Sequence, residues 1–188
     1  ESNDVGAAVL NANPFTLGHR YLIEKSSKNH QLFLVFVLET DLSVFKYQDR
    51  IKLVRQGLKD LDNIIVLPST DYLVSDLTFP TYFLKKNSDI VQAQAEADAM
   101  IFSKYFMPIF NIKKRYLGSE TDLVTAKYNC AIQRILKDKV EIIERKEVNE
   151  KAISASLVRS LLQEKNFEEI SKLVPPTTLE FLKNEFNS

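Results

Sequence analysis

The chain has 188 residues, 45% of them hydrophobic, and its 25 basic side chains balance 25 acidic ones. That is enough for one well-cored domain, and a net charge near zero argues against a nucleic-acid or membrane-surface role. The single cysteine, Cys130, excludes an intramolecular disulfide and a thiolate zinc site and fits a reducing, cytoplasmic setting.

Residues 5–11 form a short apolar run that predicts a strand buried on both faces. A polar turn follows, then a helix over 17–27 with Leu22 and Ile23 inward and Arg20, Glu24 and Lys25 outward. Residues 31–38 are nearly continuous in apolar side chains and predict a second central strand, ending at Glu39, Thr40 and Asp41. Strand, helix and strand in this space make a βαβ unit with a right-handed crossover. An amphipathic helix is predicted over 47–60, with Ile51, Val54 and Leu58 on one face; Lys46 and Arg50 read there as solvated charges. A third strand covers 64–67 and closes at Pro68, and 69–82 predict a long irregular connection. An alanine-rich helix over 89–105 is expected to hold Glu96 and Asp98 in solvent. Residues 114–117 predict a fourth strand, 123–136 a helix and 140–144 a fifth strand.

The tail is helical. Ser154 is a good N-cap for a helix over 155–164, a short helix is predicted over 166–173, and Pro175-Pro176 breaks the chain. Thr177 and Glu180 have the spacing of a capping box that opens the last helix. No apolar run approaches the length of a membrane span, and the first residues lack the layout of a signal peptide. The chain begins at Glu1 and enters its first strand at once, so it is expected to be part of a longer protein. The alternation implies an α/β fold: a doubly wound parallel sheet with helices on both faces. Residues 1–165 are expected to form the domain and 166–188 its C-terminal helical extension. Ligands of such sheets bind beyond the carboxyl ends of the strands. Residues 13–19, 40–41, 118–120 and the stretch before Ser154 should lie on that edge.

Three stretches carry the chemistry. At the first strand-to-helix turn, Thr16 offers a hydroxyl, His19 a ring nitrogen and Gly18 a close approach, beside the positive end of a helix; an anion is the natural guest. Ile153-Ser154-Ala155-Ser156 opens a second helix, with Arg159 one turn on. Two such helix starts at one edge, with a forked guanidinium, suit a polyphosphate. Arg115-Tyr116-Leu117-Gly118-Ser119-Glu120, with Thr125, Tyr128 and Asn129 beyond, suits a ribose or base. Each alone also reads as an ordinary capped helix or turn.

In this order the stretches resemble the nucleotidyltransferase superfamily, with its (His/Thr)-x-Gly-His loop and Ile-Ser-x-Ser/Thr-x-x-Arg segment. The residues from Asn13 to Leu22, Thr78-Phe79-Pro80, Val124 to Asn129, Ile153 to Arg159 and Leu173 to Thr178 are similar to the [citrate (pro-3S)-lyase] ligase family along nearly the whole chain. That family carries an acetyltransferase-like region ahead of this part, for which this chain has no room.

The resemblance implies a Rossmann-like nucleotidyltransferase fold and a two-step reaction. ATP and acetate give acetyl-adenylate and pyrophosphate, and the acetyl group passes to the prosthetic-group thiol of the citrate lyase acyl carrier subunit. It also implies roles. His19, Thr16 and Arg159 act on the phosphates, and Ser154 and Ser156 hold the leaving ones. Asn13, Phe15, Gly18 and Ile153 line the nucleotide, while Gly118, Ser119 and Glu120 line the adenosine end. Mg²⁺ would ride on the phosphates, with no protein ligand cluster. Neither nucleic acid nor membrane is an expected partner. Two other readings stay open: transfer of AMP to a nucleotide- or pantetheine-phosphate, and ATP binding without turnover. The acetate pocket, the carrier surface and the oligomeric state are not legible.

Overall fold

The computed structural model describes residues 4–39, 43–69, 88–119, 123–148 and 151–186. Five parallel strands form the centre: β1 (Val5–Leu10), β2 (Leu32–Val37), β3 (Ile64–Pro68), β4 (Ile112–Gly118) and β5 (Val140–Ile143). Their spatial order is β3-β2-β1-β4-β5, all pairs parallel. The chain therefore builds outward from β1 through β2 to β3, then returns to lay β4 on the other side of β1. That reversal is a topological switch point, where the connections leave β1 and β4 toward opposite faces and open a crevice at their carboxyl ends.

Helices α1 (Leu17–Ser27) and α2 (Tyr47–Gly57) cover one face. There Phe15, Ile23, Phe33, Val35, Val37 and Val54 are buried together. The other face carries α3 (Ser88–Ile101) and α5 (Leu123–Leu136), over Ala7, Leu34, Phe36, Ala99, Phe102 and Ile132. Strands that feed two buried faces must be apolar at nearly every position, which is why β1 and β2 show no alternation. α3 passes into a π-helical turn, Phe102–Phe106, and then the short α4 (Met107–Ile109). The wider turn stacks Phe102 on Phe106 and sets Phe106 edge-on to Phe36, with centroids 5.8 and 5.4 Å apart.

After β5 comes an unanticipated hairpin, β6 (Glu147–Val148) with β7 (Lys151–Ala152). The chain ends in α6 (Ala155–Gln163), α7 (Phe167–Ser171) and α8 (Pro176–Phe186). These close a third apolar cluster around Phe45, Ile153, Val158, Ile170 and Leu182. The last helix starts at Pro176, so the capping box expected from Thr177 and Glu180 does not form. A proline at the first helical position has its φ already set and no N–H to satisfy, and Leu179 N–H reaches Pro175 O at 3.0 Å.

Two charges expected in solvent are buried. Asp98 is 3% exposed, because α3 turns it toward the sheet and onto Arg115 of β4. Glu96, one residue from the helix's opposite side, does pair at the surface with Arg134. Arg50 is wholly buried. α2 begins beneath the ends of β1 and β2, where carbonyls run out of ladder partners, and Arg50 supplies them. Its Nη1 donates to Asn11 O at 2.6 Å, Nη2 to Leu38 O at 2.9 Å and Nε to Phe45 O at 3.0 Å. Lys46, by contrast, is exposed as the cap position of α2. Apart from Ser69, the irregular stretch expected over 69–82 lies outside the described residues, as do Thr40, Asp41 and Glu120.

Arg50→Met should strip three buried or part-buried carbonyls of their donor at once. At about 1–3 kcal/mol for each unsatisfied group, we expect urea unfolding to show a loss of about 3 kcal/mol or more. Arg50→Lys should recover only part of it, because an ammonium cannot span three carbonyls in one plane.

Candidate active site

The turn after β1 is set by its own hydrogen bonds. Ala12 takes a left-handed φ of 51°, and Thr16 then caps α1 from an extended conformation. Thr16 Oγ1 accepts from His19 N–H at 3.3 Å, and Thr16 N–H donates to His19 Nδ1 at 3.0 Å. This is a capping box in which histidine replaces the usual Glu or Gln. Because Nδ1 accepts a backbone N–H, and lies 2.9 Å from Thr16 Oγ1, the ring proton sits on Nε2. Desolvation by burial, helped by the charge of Arg145, holds the imidazole pKa down to about 4. His19 at neutral pH is thus an uncharged ring with one N–H to offer. The same bonds use up turn donors that sequence alone assigned to a guest. Leu17 N–H is also taken, by Leu173 O at 2.8 Å.

The second helix start lies against the first. Ser154 caps α6, its Oγ accepting Leu157 N–H at 3.1 Å. A Cβ on Gly18 would stand 2.9 Å from Ile153 O, closer than carbon and oxygen allow, so only glycine lets the two turns touch. Arg159 stitches them from the other side: Nη1 donates to Asn13 O at 2.6 Å and Nη2 to Ser156 Oγ at 3.1 Å. Partial burial lowers the Arg159 pKa, but a guanidinium stays charged.

These turns and the ends of β4 and β5 enclose a cleft of about 680 Å³ at the β1/β4 switch point. That is the size of a small-molecule site. Thr16, Gly18, His19, Gly118, Ile153, Ser154 and Ser156 line it, together with Arg115, Tyr128, Asn129 and Arg145. Asn129 Nδ2 holds Gly118 O at 2.9 Å, and a Cβ on Gly118 would meet nothing within 4 Å. Arg145 hangs over the cleft from the end of β5, with Nε donating to Ser119 O at 2.6 Å and its backbone N–H to Ser119 Oγ at 3.0 Å.

The family model of the citrate lyase ligase C-terminal domain matches residues 5–182. The [citrate [pro-3S]-lyase] ligases of Klebsiella pneumoniae and Haemophilus influenzae are each 38% identical, over 95% and 97% of this chain. The chain belongs to the citrate lyase ligase C-terminal domain family. It spans about half the length of those curated relatives, 54% and 57%.

Solved structures show how this family domain is folded. Thermotoga maritima TmcAL bound with alpha-thio ATP aligns with a TM-score of 0.52 at 16% identity, over 98% of this chain and 56% of that one. Plasmodium falciparum nicotinic acid mononucleotide adenylyltransferase complexed with APC aligns with a TM-score of 0.53 at 14% identity, over 98% and 96%. The sheet order and helix layers are those of a Rossmann-like nucleotidyltransferase fold.

Within this citrate lyase ligase domain, the residues singled out from sequence divide by what they touch. Thr16, Gly18, His19, Gly118, Ile153, Ser154 and Ser156 face one cleft. Phe15 does not: its ring is fully buried and stacks behind His19 at 5.8 Å, in space that Gly57 leaves open on α2. Asn13 uses Oδ1 to accept Phe45 N–H at 3.1 Å and its carbonyl for Arg159. Neither Asn13, Ser119 nor Arg159 is among the lining residues, and Glu120 lies outside the described residues. Sequence reasoning missed Arg145 and Asp98. Arg145 was signalled only by its place two residues past β5, on the ligand edge.

Two measurements check this geometry. His19 should titrate near pH 4 by NMR with the Nε2–H tautomer above that. The unfolded state then takes up a proton that the folded state refuses, so stability should fall as pH drops from about 6.5 toward 4; His19→Gln should flatten that slope. Gly18→Ala should cost about 1–3 kcal/mol in unfolding free energy through the clash with Ile153 O, whereas Gly118→Ala should leave stability within about 0.5 kcal/mol.

Proposed function

We propose that this chain is the adenylylating part of a citrate lyase ligase. An acetate oxygen attacks the α-phosphorus of ATP, the bond to the β-phosphate oxygen breaks, and pyrophosphate leaves with that electron pair. The thiol sulfur of the citrate lyase acyl carrier prosthetic group then attacks the acetyl carbon, loses its proton, and displaces AMP. The observation that carries this reading is the fixed, neutral His19 donor at the β1/β4 switch point, in a chain of this family. A displacement at phosphorus builds negative charge on oxygens, and a rigid donor that needs no reorganisation stabilises it.

On this reading Nε2–H of His19 donates to the phosphoryl oxygens. Thr16 is a positioning residue, because both its N–H and its hydroxyl are spent on the His19 ring. Arg159 lies beside the lining, with two N–H groups committed to Asn13 and Ser156; its remaining donors would meet β- and γ-phosphates that extend past the start of α6. Gly118 leaves room for the ribose. Arg145 adds positive charge above the cleft.

Mg²⁺ would shield the triphosphate. The phosphates and water would carry the ion; among the described residues no group of three His, Cys, Asp or Glu could hold a metal. No helix among the described residues is long and apolar enough to cross a membrane. We place the enzyme in the cytoplasm, where its carrier substrate would be reduced.

The test is acetate-dependent exchange of pyrophosphate into ATP. We expect exchange with acetate, and a fall of about 10²–10³ in His19→Ala, the usual loss for one transition-state donor. Exchange only with a nucleotide- or pantetheine-phosphate acceptor would assign a different adenylyltransferase. ATP binding with no exchange would make the chain a nucleotide-binding module.

A further inference from the structure

One wall of the cleft is not explained by phosphate chemistry. Arg115, 3% exposed, lines the cleft from β4 with its guanidinium stacked on the Phe102 ring, 4.6 Å from the centroid. Its Nη2 donates to Asp98 Oδ2 at 2.8 Å, and Tyr128 OH donates to the same oxygen at 2.9 Å. Burial, with the Asp98 charge beside it, raises the Tyr128 pKa, so the phenol stays a donor. Asp98 is thereby committed to two partners within the protein. Among the described residues, however, Nε and Nη1 of Arg115 have no hydrogen-bond partner. Buried guanidinium N–H groups are rarely left so, since each forgoes the acceptor it had in water.

The surroundings narrow the guest. Val9, Leu38 and Leu117 line the same cleft and pack against the apolar cluster that contains Phe102. A guanidinium held by Asp98 and Phe102, with apolar side chains around it, fits a short monocarboxylate: an oxygen to the unpartnered Nη1–H, alkyl end to the wall. Arg115 also projects to the α3/α5 face, whereas His19 and Ser154 belong to the helix starts of α1 and α6. The acid and the leaving phosphates would not compete for one set of donors.

We propose that Arg115, fixed by Asp98 and Tyr128, is the carboxylate-binding residue for the small acid that this domain activates. The assignment rests on the adenylylation reading for what happens to the acid, but not for whether the acid binds. Two assays on the whole chain separate them. Arg115→Ala would leave Asp98 buried without its cation, so the informative variants are Arg115→Lys, which keeps the ion pair but loses the second donor nitrogen, and the neutral pair Arg115→Gln with Asp98→Asn.

In acetate-dependent pyrophosphate exchange, both should raise KM for acetate by about tenfold to a hundredfold, the loss of charge-assisted bonds. The ATP dissociation constant should stay within about twofold. An unchanged acetate KM, or an equal rise in both constants, would overturn the assignment. Saturation-transfer NMR with acetate alone reads binding without turnover. Acetate contact in the native chain that is lost in both variants supports the subsite, even if exchange is absent and the adenylylation reading falls. Contact that persists unchanged in both variants removes Arg115 from the site.

Discussion

The carbonyl of Ile153 stands 2.9 Å from where any side chain on Gly18 would begin, and the arrangement of the cleft follows from that contact. It brings a turn near the start of the chain against one near its end, so that two helix starts share one site. Arg159 and Leu173 reinforce the same junction through Asn13 O and Leu17 N–H. The three C-terminal helices therefore do more than cover the sheet. Their apolar cluster, with Ile153, Val158, Ile170 and Leu182, supplies the packing that holds Ser154 beside His19.

The same economy governs charge. A parallel sheet ends in carbonyls that the ladder cannot satisfy, and here a buried arginine takes up those of Asn11 and Leu38. Arg50 spends its charge on strand-end carbonyls, whereas burial leaves His19 with none. A neutral imidazole is cheaper to bury than a charged one, and its tautomer is dictated by the backbone N–H of Thr16. The result is a donor whose direction and protonation are both fixed before any ligand arrives, which is what electrostatic preorganisation requires.

What was legible in the sequence, and what was not, divides along a physical line. β1, α1 and β2 were readable because burial on two faces leaves only apolar runs, and a Thr cap opens the helix with the right spacing. The pairing of the opening turn with Ser154 could be argued because both sit at helix starts on the ligand edge. Burial of charge could not. Arg50 and Asp98 look like other helix-surface charges, and nothing local distinguishes a residue that meets solvent from one that meets strand-end carbonyls or a guanidinium on β4. Phe15 misled for the same reason. An aromatic in a ligand-binding turn resembles a contact residue, but its ring fills the space that Gly57, far along the chain, leaves open. The π-helical turn at Phe102 was equally silent, because it depends on how Phe106 meets Phe36 across the sheet.

The switch point gives these details a common logic. β1 lies between two neighbours whose connections leave toward opposite faces, and the cleft inherits that division. One side presents the His19 ring and the start of α6; the other presents Arg115 over Phe102, with Asp98 and Tyr128 behind it. A displacement at phosphorus needs its nucleophile and leaving group on opposite sides of the reacting atom. On the proposed assignments, the acid approaches from the α3/α5 side and pyrophosphate departs toward α1 and α6. On those assignments, adjacent strands with opposite crossovers would keep apart two anions that otherwise repel.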